Sequence, residues 1–354
     1  VRPPDEARLD EVSGVPSGVA DCGAGEVRSA TWCPTSADRT LSTMLALVTA
    51  AEAAGLDSDL EPLRQAFIDL DVPVVVVDWD DASVDWGRFD AVILRSTWDY
   101  VDRFDEFVVW LDRIELQTRV VNGRNAIGWN IDKHYLAELA AVGVPVVPTL
   151  FVEVGHTANG LDAERSVWVV KPAIGAGSNG AKRCTRAEVD AHIVVLHALG
   201  RAAMVQPYLD MIDAESETSL VFINDGSGLR YDHAFSKAAI LQEARVAAGL
   251  KRNGDLVVKE EIGLRDATNE QIGLAEQVLA SAPVQAVGPL AYARVDVVPT
   301  PTGSVLMELE LIEPSLYFNS SEGSAARAAS GWQQFLASTA EVLPVASSVA
   351  PSVA

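Results

Sequence analysis

The chain has 354 residues, a length that suits about two or three domains, and its 49% hydrophobic content against 22% charged is the balance of a globular protein with a substantial core. With 50 acidic against 27 basic side chains the formal charge is −23, which argues against general binding to nucleic acid or to an anionic membrane, because a phosphate surface needs a basic partner. Three cysteines without CxxC spacing and five histidines without metal spacing argue against a disulfide framework or a structural zinc site and fit a reducing cytosol.

Residues 1–43 carry Gly, Pro, Ser and charge without periodicity and are expected to form a poorly ordered extension, with Met44 a candidate start of the folded part. Met44–Thr49 reads as a strand, Leu60–Leu70 as a helix, Val72–Val77 and Asp90–Leu94 as strands, Phe104–Ile114 as a helix and Val120–Val121 as a short strand. This alternation predicts a parallel, doubly wound sheet over residues 44–124. Ligands of such sheets bind beyond the carboxyl ends of the strands. Arg95, Thr97, Asp99 and Tyr100 stand at such an end, with Trp98 read as a packing residue and Asp57 and Asp59 as acids of a neighbouring loop.

A second unit, 125–210, opens with Asp132-Lys133 on a helix running into Leu139, followed by a strand restarting at Gly143-Val144-Pro145, a helix near Ala187–Leu199 and a strand Ala203–Pro207. A third, 211–342, contains strands Ser219–Ile223 and Leu229–Ser236, the helix Asn269–Ala282, and the strand pair Ala291–Val298 and Val305–Ile312. Residues 343–354 read as a frayed tail. No apolar run reaches the ~18 residues of a membrane span and no leader pattern opens the chain, so a cytoplasmic protein is expected.

The stretch Val167–Arg183, VWVVKPAIGAGSNGAKR, carries the first chemical signal. A β-branched strand ends in Lys171, and a loop with Gly175, Gly177, Ser178 and Gly180 follows. Small residues let backbone N–H groups approach an anion, and the lysine adds positive charge, so the segment suits a phosphate. It has neither the GK[ST] of a Walker loop nor GxGxxG spacing, and a glycine-rich hairpin with a solvated lysine fits it equally well.

Other features follow in a fixed order: Lys133 before the loop, then Gln206-Pro207-Tyr208-Leu209, Glu217, Arg294-Val295-Asp296 and Glu308-Leu309-Glu310. This order resembles the ATP-grasp superfamily over about Asn125–Pro314. LRSTWDY (Leu94–Tyr100), WNIDKHYL (Trp129–Leu136), VVKPAIGAGS (Val169–Ser178), VQPYL (Val205–Leu209), YARVD (Tyr292–Asp296) and MELELIEPSLYF (Met307–Phe318) are similar to glutathione-synthetase-like ATP-grasp ligases of the D-cycloserine biosynthesis cyclo-ligase group, O-ureido-D-serine cyclo-ligase. The resemblance implies an α/β (α+β) ATP-grasp fold: an amino-terminal parallel-sheet domain, a central small α+β domain and a carboxy-terminal α+β domain.

It also implies roles. Lys133 and Lys171 contact the ATP phosphates, the Gly175–Gly180 loop covers the γ-phosphate, Gln206–Leu209 reads the adenine edge and Glu217 the ribose. Mg²⁺, or Mn²⁺ in its place, takes hard oxygen ligands, which Asp296, Glu308 and Glu310 supply. The group usually has Glu-x-Asn where this chain has Glu308-Leu309-Glu310, which leaves Glu310 with Glu313 as an alternative pair and a solvated strand face as the plain structural reading. Arg294, two residues from Asp296, faces the same side of its strand and is suited to stabilising an acyl phosphate or tetrahedral intermediate, or to an ion pair with neighbouring acids. Lys237 is a further catalytic candidate, equally readable as a surface lysine. His233 reads as structural. Asn319, Ser320 and Ser321 join Arg95, Thr97, Asp99 and Tyr100 as substrate-side candidates.

The activity implied is an ADP-forming carboxylate–amine ligase working through an acyl phosphate on a small amino-acid-like substrate. Ring closure within one molecule, joining of two amino acids and a non-catalytic ATP-binding regulator are the alternatives, with a homodimer left open. A Rossmann-type oxidoreductase is disfavoured because AAEAAG, after the first strand, holds no glycine fingerprint.

Overall fold

The computed structural model describes residues 44–177, 179–241, 250–252, 255–257 and 261–339. The expected extension 1–43, Ser178 and the tail 343–354 lie outside the described residues.

Strand β1 (Leu45–Thr49) is buried on both faces through its apolar run LALV, which is the pattern of a central strand in a parallel sheet. It lies between β2 (Val74–Asp78) and β3 (Ala91–Ser96), with β4 (Arg119–Val120) beyond β3, all parallel in the order β2-β1-β3-β4. The chain moves outward from β1 to β2 and then crosses back to β3, so the crevice at the carboxyl ends of β1 and β3 is the switch point where ligands of such sheets bind. Helix α1 (Leu60–Asp69) buries Leu63, Ala66 and Phe67, and α2 (Phe104–Glu115) buries Phe107, Trp110, Leu111 and Ile114, each at helical spacing.

The segment around Lys133 differs from the sequence expectation. Helices α3 (Gly123–Asn130) and α4 (Tyr135–Ala141) flank a turn, and Asp132 and Lys133 lie in that turn. Asp132 Oδ1 accepts the His134 N–H at 3.1 Å, a local bond of a kind that competes with helix continuation. Gly143, at φ +88°, ends α4 in the left-handed region. In place of a strand at 143–145, the chain makes a single parallel bridge, Val146 to Leu306.

Strands β5 (Leu150–Val152), β6 (Val167–Pro172), β7 (Lys182–Thr185) and β8 (Ala203–Pro207) form an antiparallel sheet in the order β5-β8-β6-β7, packed on α5 (Val189–Ala198) through Val189, Ile193 and Leu196. After α6 (Met211–Glu215) comes a five-stranded antiparallel sheet built from β9 (Glu217–Asn224), β10 (Leu229–Lys237), β13 (Ile262–Arg265), β14 (Tyr292–Thr300) and β15 (Gly303–Glu310), ordered β13-β10-β9-β14-β15. β11 (Leu250–Arg252) and β12 (Asp255–Val257) pair separately.

The helix expected over Asn269–Ala282 is two. α7 (Asn269–Ala280), with a Thr268/Gln271 capping box, stops at extended Ser281, and α8 (Ala282–Ala286) starts with a proline in its first turn. Helix α9 (Ser324–Ser338), not anticipated, packs Trp332, Phe335 and Leu336 into one core with Leu45, Leu47, Phe67, Val221 and Tyr292, so it joins the parallel and the five-stranded sheets. Gly331 permits this closeness: a Cβ there would sit 2.6 Å from the Asn224 carbonyl oxygen.

Candidate active site

Alternation along β14 sorts its side chains. Ala293, Val295 and Val297 enter the core beneath α7, whereas Arg294 and Asp296 face the other side. The ladder pairs Arg294 with Glu310 and Asp296 with Glu308 before a bulge that follows Asp296. Lys237 and Glu217 close the adjoining ends of β10 and β9. One end of the sheet therefore carries six ionisable side chains on one face.

They form two ion-paired groups, one around Asp296 and one joining Glu308 to Lys133. Arg294 Nε and Nη2 donate to Asp296 at 2.9 and 2.8 Å, Arg294 also bonds Glu310, and its Nη1 donates to the Ser315 carbonyl at 2.9 Å. Lys237 Nζ donates to Asp296 at 2.7 Å and pairs with Glu217. Lys133 Nζ, on the turn between α3 and α4, reaches Glu308 at 3.1 Å and donates to the Gly175 carbonyl at 2.6 Å. Burial alone would raise the fully buried Asp296 carboxyl, yet Arg294 and Lys237 hold it well below its ordinary range. Burial raises Glu310 to about 8 against the opposing pull of Arg294, with the charges of Glu308 and Asp296 adding to the rise. Glu217 is raised by burial to about 7, although Lys237 opposes this. Burial lowers Lys171.

Two adjoining cavities meet at these groups. The larger, about 400 Å³, is lined by Lys133, Lys171, Gly175, Gly177, Arg294, Glu308, Glu310 and Glu313. The smaller, about 140 Å³, is lined by Gln206, Pro207, Tyr208, Leu209, Glu217 and Met307. Lys171, Lys237 and Glu308 belong to both walls. Within Gln206–Leu209, Gln206 Nε2 donates to Thr149 Oγ1 at 2.9 Å, and Tyr208 lies under the Arg183 guanidinium at 3.8 Å. In the loop after β6, Gly177 and Gly180 adopt φ of +59° and +74°, a conformation that favours glycine.

The substrate-side candidates divide. Tyr100 lines the larger cavity and hydrogen bonds Glu313, whose carboxyl is raised by burial. Trp98, expected to be packing, lines it too. Arg95 does not: it is fully buried behind the wall, where Nη2 donates to the Pro314 carbonyl at 3.1 Å. Thr97 is buried beside it, also outside the lining. Asp99 is turned to Trp79 Nε1, at 2.8 Å, and to Arg103, at 3.0 Å. Asn319 is exposed on a 3-10 turn away from the lining, because the chain turns outward after Phe318. Leu56, Ser58, Ser315 and Tyr317 line the cavity without having been singled out. His233 is structural, with Nδ1 2.7 Å from Asp232 and Nε2 2.8 Å from the Leu316 carbonyl.

Among the described residues no three carboxylate, histidine or cysteine side chains converge as a ready metal cage, because lysines and an arginine stand between the carboxylates. The donor set still fits Mg²⁺: Asp296 on β14 and Glu308 and Glu310 on β15 offer hard carboxylate oxygens on one face of the sheet.

Residues 45–122 match the model of the D-cycloserine synthetase DcsG amino-terminal domain. The cycloserine biosynthesis protein DcsG of Streptomyces lavendulae is 37% identical over 300 residues, covering 80% of this chain and 96% of that protein. The chain belongs to the DcsG family. A crystal structure of D-cycloserine synthetase DcsG superposes with a TM-score of 0.74 at 36% identity, over 83% of this chain and 99% of that one. A D-alanine–D-alanine ligase from Bacillus anthracis shares the fold at a TM-score of 0.58 and 14% identity, over 85% and 98% of the two chains. As a DcsG-family member with the ATP-grasp fold, the chain is an ATP-dependent ligase that forms carbon–nitrogen bonds. Among the described residues no helix is long and apolar enough to cross a membrane.

Proposed function

We propose that this ligase activates the carboxylate of an amino-acid-like substrate as an acyl phosphate and captures it with a nitrogen of the same molecule, closing a ring as expected for an O-ureidoserine. The observation that carries this reading is the pair of cavities sharing Lys171, Lys237 and Glu308. In this reading adenosine takes the smaller, between Gln206–Leu209 and Glu217. The triphosphate then runs past Lys171 into the larger cavity, under Gly175–Gly180 and beside Lys133.

Arg294 is placed to orient the reacting carboxylate and to stabilise the charge that develops on its oxygen. Lys237 holds Asp296 and Glu217 and steadies the same region. Asp296, Glu308 and Glu310, with Glu313 as alternative, would hold Mg²⁺, which when bound neutralises charge on the phosphoryl group in transfer. Closure of the glycine loop keeps water from the acyl phosphate. Tyr100 and Glu313 form the acceptor side. A cytoplasmic location and a division into units 44–124, 125–210 and 211–342 belong to the same proposal.

The test is phosphate release from Mg-ATP across D- and L-amino acids and O-ureidoserine. Release that depends on O-ureidoserine alone, with a cyclic product, supports the reading. Release that requires two amino acids points to an intermolecular ligase, and ATP binding without any acceptor-dependent release overturns it.

A further inference from the structure

Residues 314–317 form no helix or strand, yet their backbone is held by polar side chains from four parts of the chain. Arg95 Nη2 donates to the Pro314 carbonyl at 3.1 Å, Arg294 Nη1 to the Ser315 carbonyl at 2.9 Å, and His233 Nε2 to the Leu316 carbonyl at 2.8 Å. From the other side, Asp59 accepts the N–H groups of Leu316, Tyr317 and Phe318 at 2.6, 2.8 and 2.9 Å. Asp59 is 1% exposed and its carboxylate lies 3.7 Å from Arg95, itself fully buried.

Asp59 stands at the amino terminus of α1, where an aspartate usually caps its own helix. Here the side chain makes no cap bond and is turned to a segment more than 250 residues away. Three charge-assisted bonds to one carboxylate enforce the conformation of that segment, including Tyr317 at φ +48°, a left-handed angle that a bulky residue adopts only under constraint. Two products of the constraint face the larger cavity: the Tyr317 side chain, and Arg294, whose guanidinium is gripped by the Ser315 carbonyl.

We propose that Asp59 and Arg95 are positioning residues: from the switch point of the parallel sheet they fix segment 314–318 and, through the Ser315 carbonyl, aim Arg294 at the reacting carboxyl group. This rests on the proposed role of Arg294. Asp59 lies outside the lining of both cavities and acts through the segment it holds. A misplacement of this kind costs up to about 100-fold in turnover without touching the nucleotide.

The experiment is Asp59→Asn, which keeps the shape but removes the charge and turns an NH₂ toward amide donors. Expected is a loss in kcat for phosphate release of about 100-fold with the KM for ATP within about twofold of the original, since the smaller cavity is untouched. Arg95→Lys, which keeps the charge beside Asp59 but shortens the reach to Pro314, should show the same split at smaller size. A folded Asp59→Asn protein that turns over normally, or that loses ATP affinity in step with kcat, overturns the proposal. Hydrogen exchange gives a readout free of activity: the amides of Leu316, Tyr317 and Phe318 should exchange as slowly as those of β14 in the unmodified chain and rapidly in Asp59→Asn. Rapid exchange in the unmodified chain overturns the proposal even where a variant does not fold. Absence of any amino-acid-dependent turnover in the unmodified chain would instead sink the functional reading and leave the exchange result to judge the anchor.

Discussion

Asn122 offers a sharp test of how the parallel sheet is joined to β14 and to the segment after β15. It lies between β4 and α3 at φ +65°, 3% exposed, and all its polar groups are used across the junction. Nδ2 donates to the Tyr292 and Leu311 carbonyls at 3.1 and 2.7 Å, while Oδ1 accepts the Ala291 N–H at 2.7 Å. Asn122→Ala leaves the Ala291 N–H and the Leu311 carbonyl facing a buried methyl group, at about 1–3 kcal/mol for each unsatisfied group. It also puts alanine in the left-handed region, which costs about 1–2 kcal/mol. The expected total is roughly 3–8 kcal/mol, a large part of the ~5–15 kcal/mol by which a folded protein is stable. Asn122→Gly loses the same bonds but tolerates the angle, so it should recover about 1 kcal/mol relative to alanine. Urea unfolding of the ligand-free protein measures both through the midpoint at constant slope. A loss below about 1 kcal/mol for alanine, or a glycine variant no better than alanine, refutes the reasoning. Arg294 lies two residues beyond Tyr292, so phosphate release should fall along with stability.

Lys171 stands in the wall shared by both cavities, and Lys171→Met should weaken Mg-ATP binding by about 10- to 100-fold in calorimetry, the value of a hydrogen bond to a charged group. Unchanged affinity would remove Lys171 from the nucleotide site. Stability should also depend on Glu217, whose carboxyl is raised by burial to about 7 from an ordinary 4.5. Between those values the folded protein binds a proton that the unfolded chain does not, so the contribution is complete below about 4.5 and is lost as pH rises toward 7. Urea midpoints from pH 5 to 7 should therefore fall more steeply for the unmodified protein than for Glu217→Gln; equal slopes would count against a raised Glu217.

The half of the site proposed for the nucleotide was legible as a grouping because its residues are close in sequence or on adjoining strands. Lys171 and its glycines share a loop, Gln206–Leu209 is one segment, and Arg294, Asp296, Glu308 and Glu310 lie on two neighbouring strands whose alternation assigns their faces. The substrate half was not, because long-range bonds decide it. Arg95 has the chemistry of a carboxylate ligand, but its guanidinium is buried behind the cavity wall, with Nη2 held by the Pro314 carbonyl and 3.7 Å from Asp59. Nothing local marks Tyr317 as left-handed, and nothing near Asp59 announces amides more than 250 residues away. Helix α9 was different: Ala328, Ala329, Trp332, Phe335 and Leu336 carry a helical apolar spacing, obscured by the alanines, serines and glycine around them.

The charges of the site point to one more property. Lys133 is held by Glu308, Lys237 by Asp296 and Glu217, and Arg294 by Asp296 and Glu310. A triphosphate that recruits Lys133 must draw it from Glu308, and the half-buried carboxylate left behind is costly without a cation. Nucleotide and divalent cation should therefore bind cooperatively, with a coupling of about 1–3 kcal/mol, or roughly 5- to 150-fold in affinity. Linkage makes this reciprocal, so the cation alone should bind weakly too. Glu308→Gln separates this account from a simple preference for the Mg-ATP complex. With its competitor neutralised, Lys133 is free for phosphate, so ATP binding in the presence of a chelator should be equal to or tighter than in the unmodified protein, while the gain on adding Mg²⁺ shrinks. Calorimetry with and without the metal measures both quantities. If Glu308→Gln weakens metal-free ATP binding, Glu308 does not compete for Lys133, and the coupling must arise elsewhere.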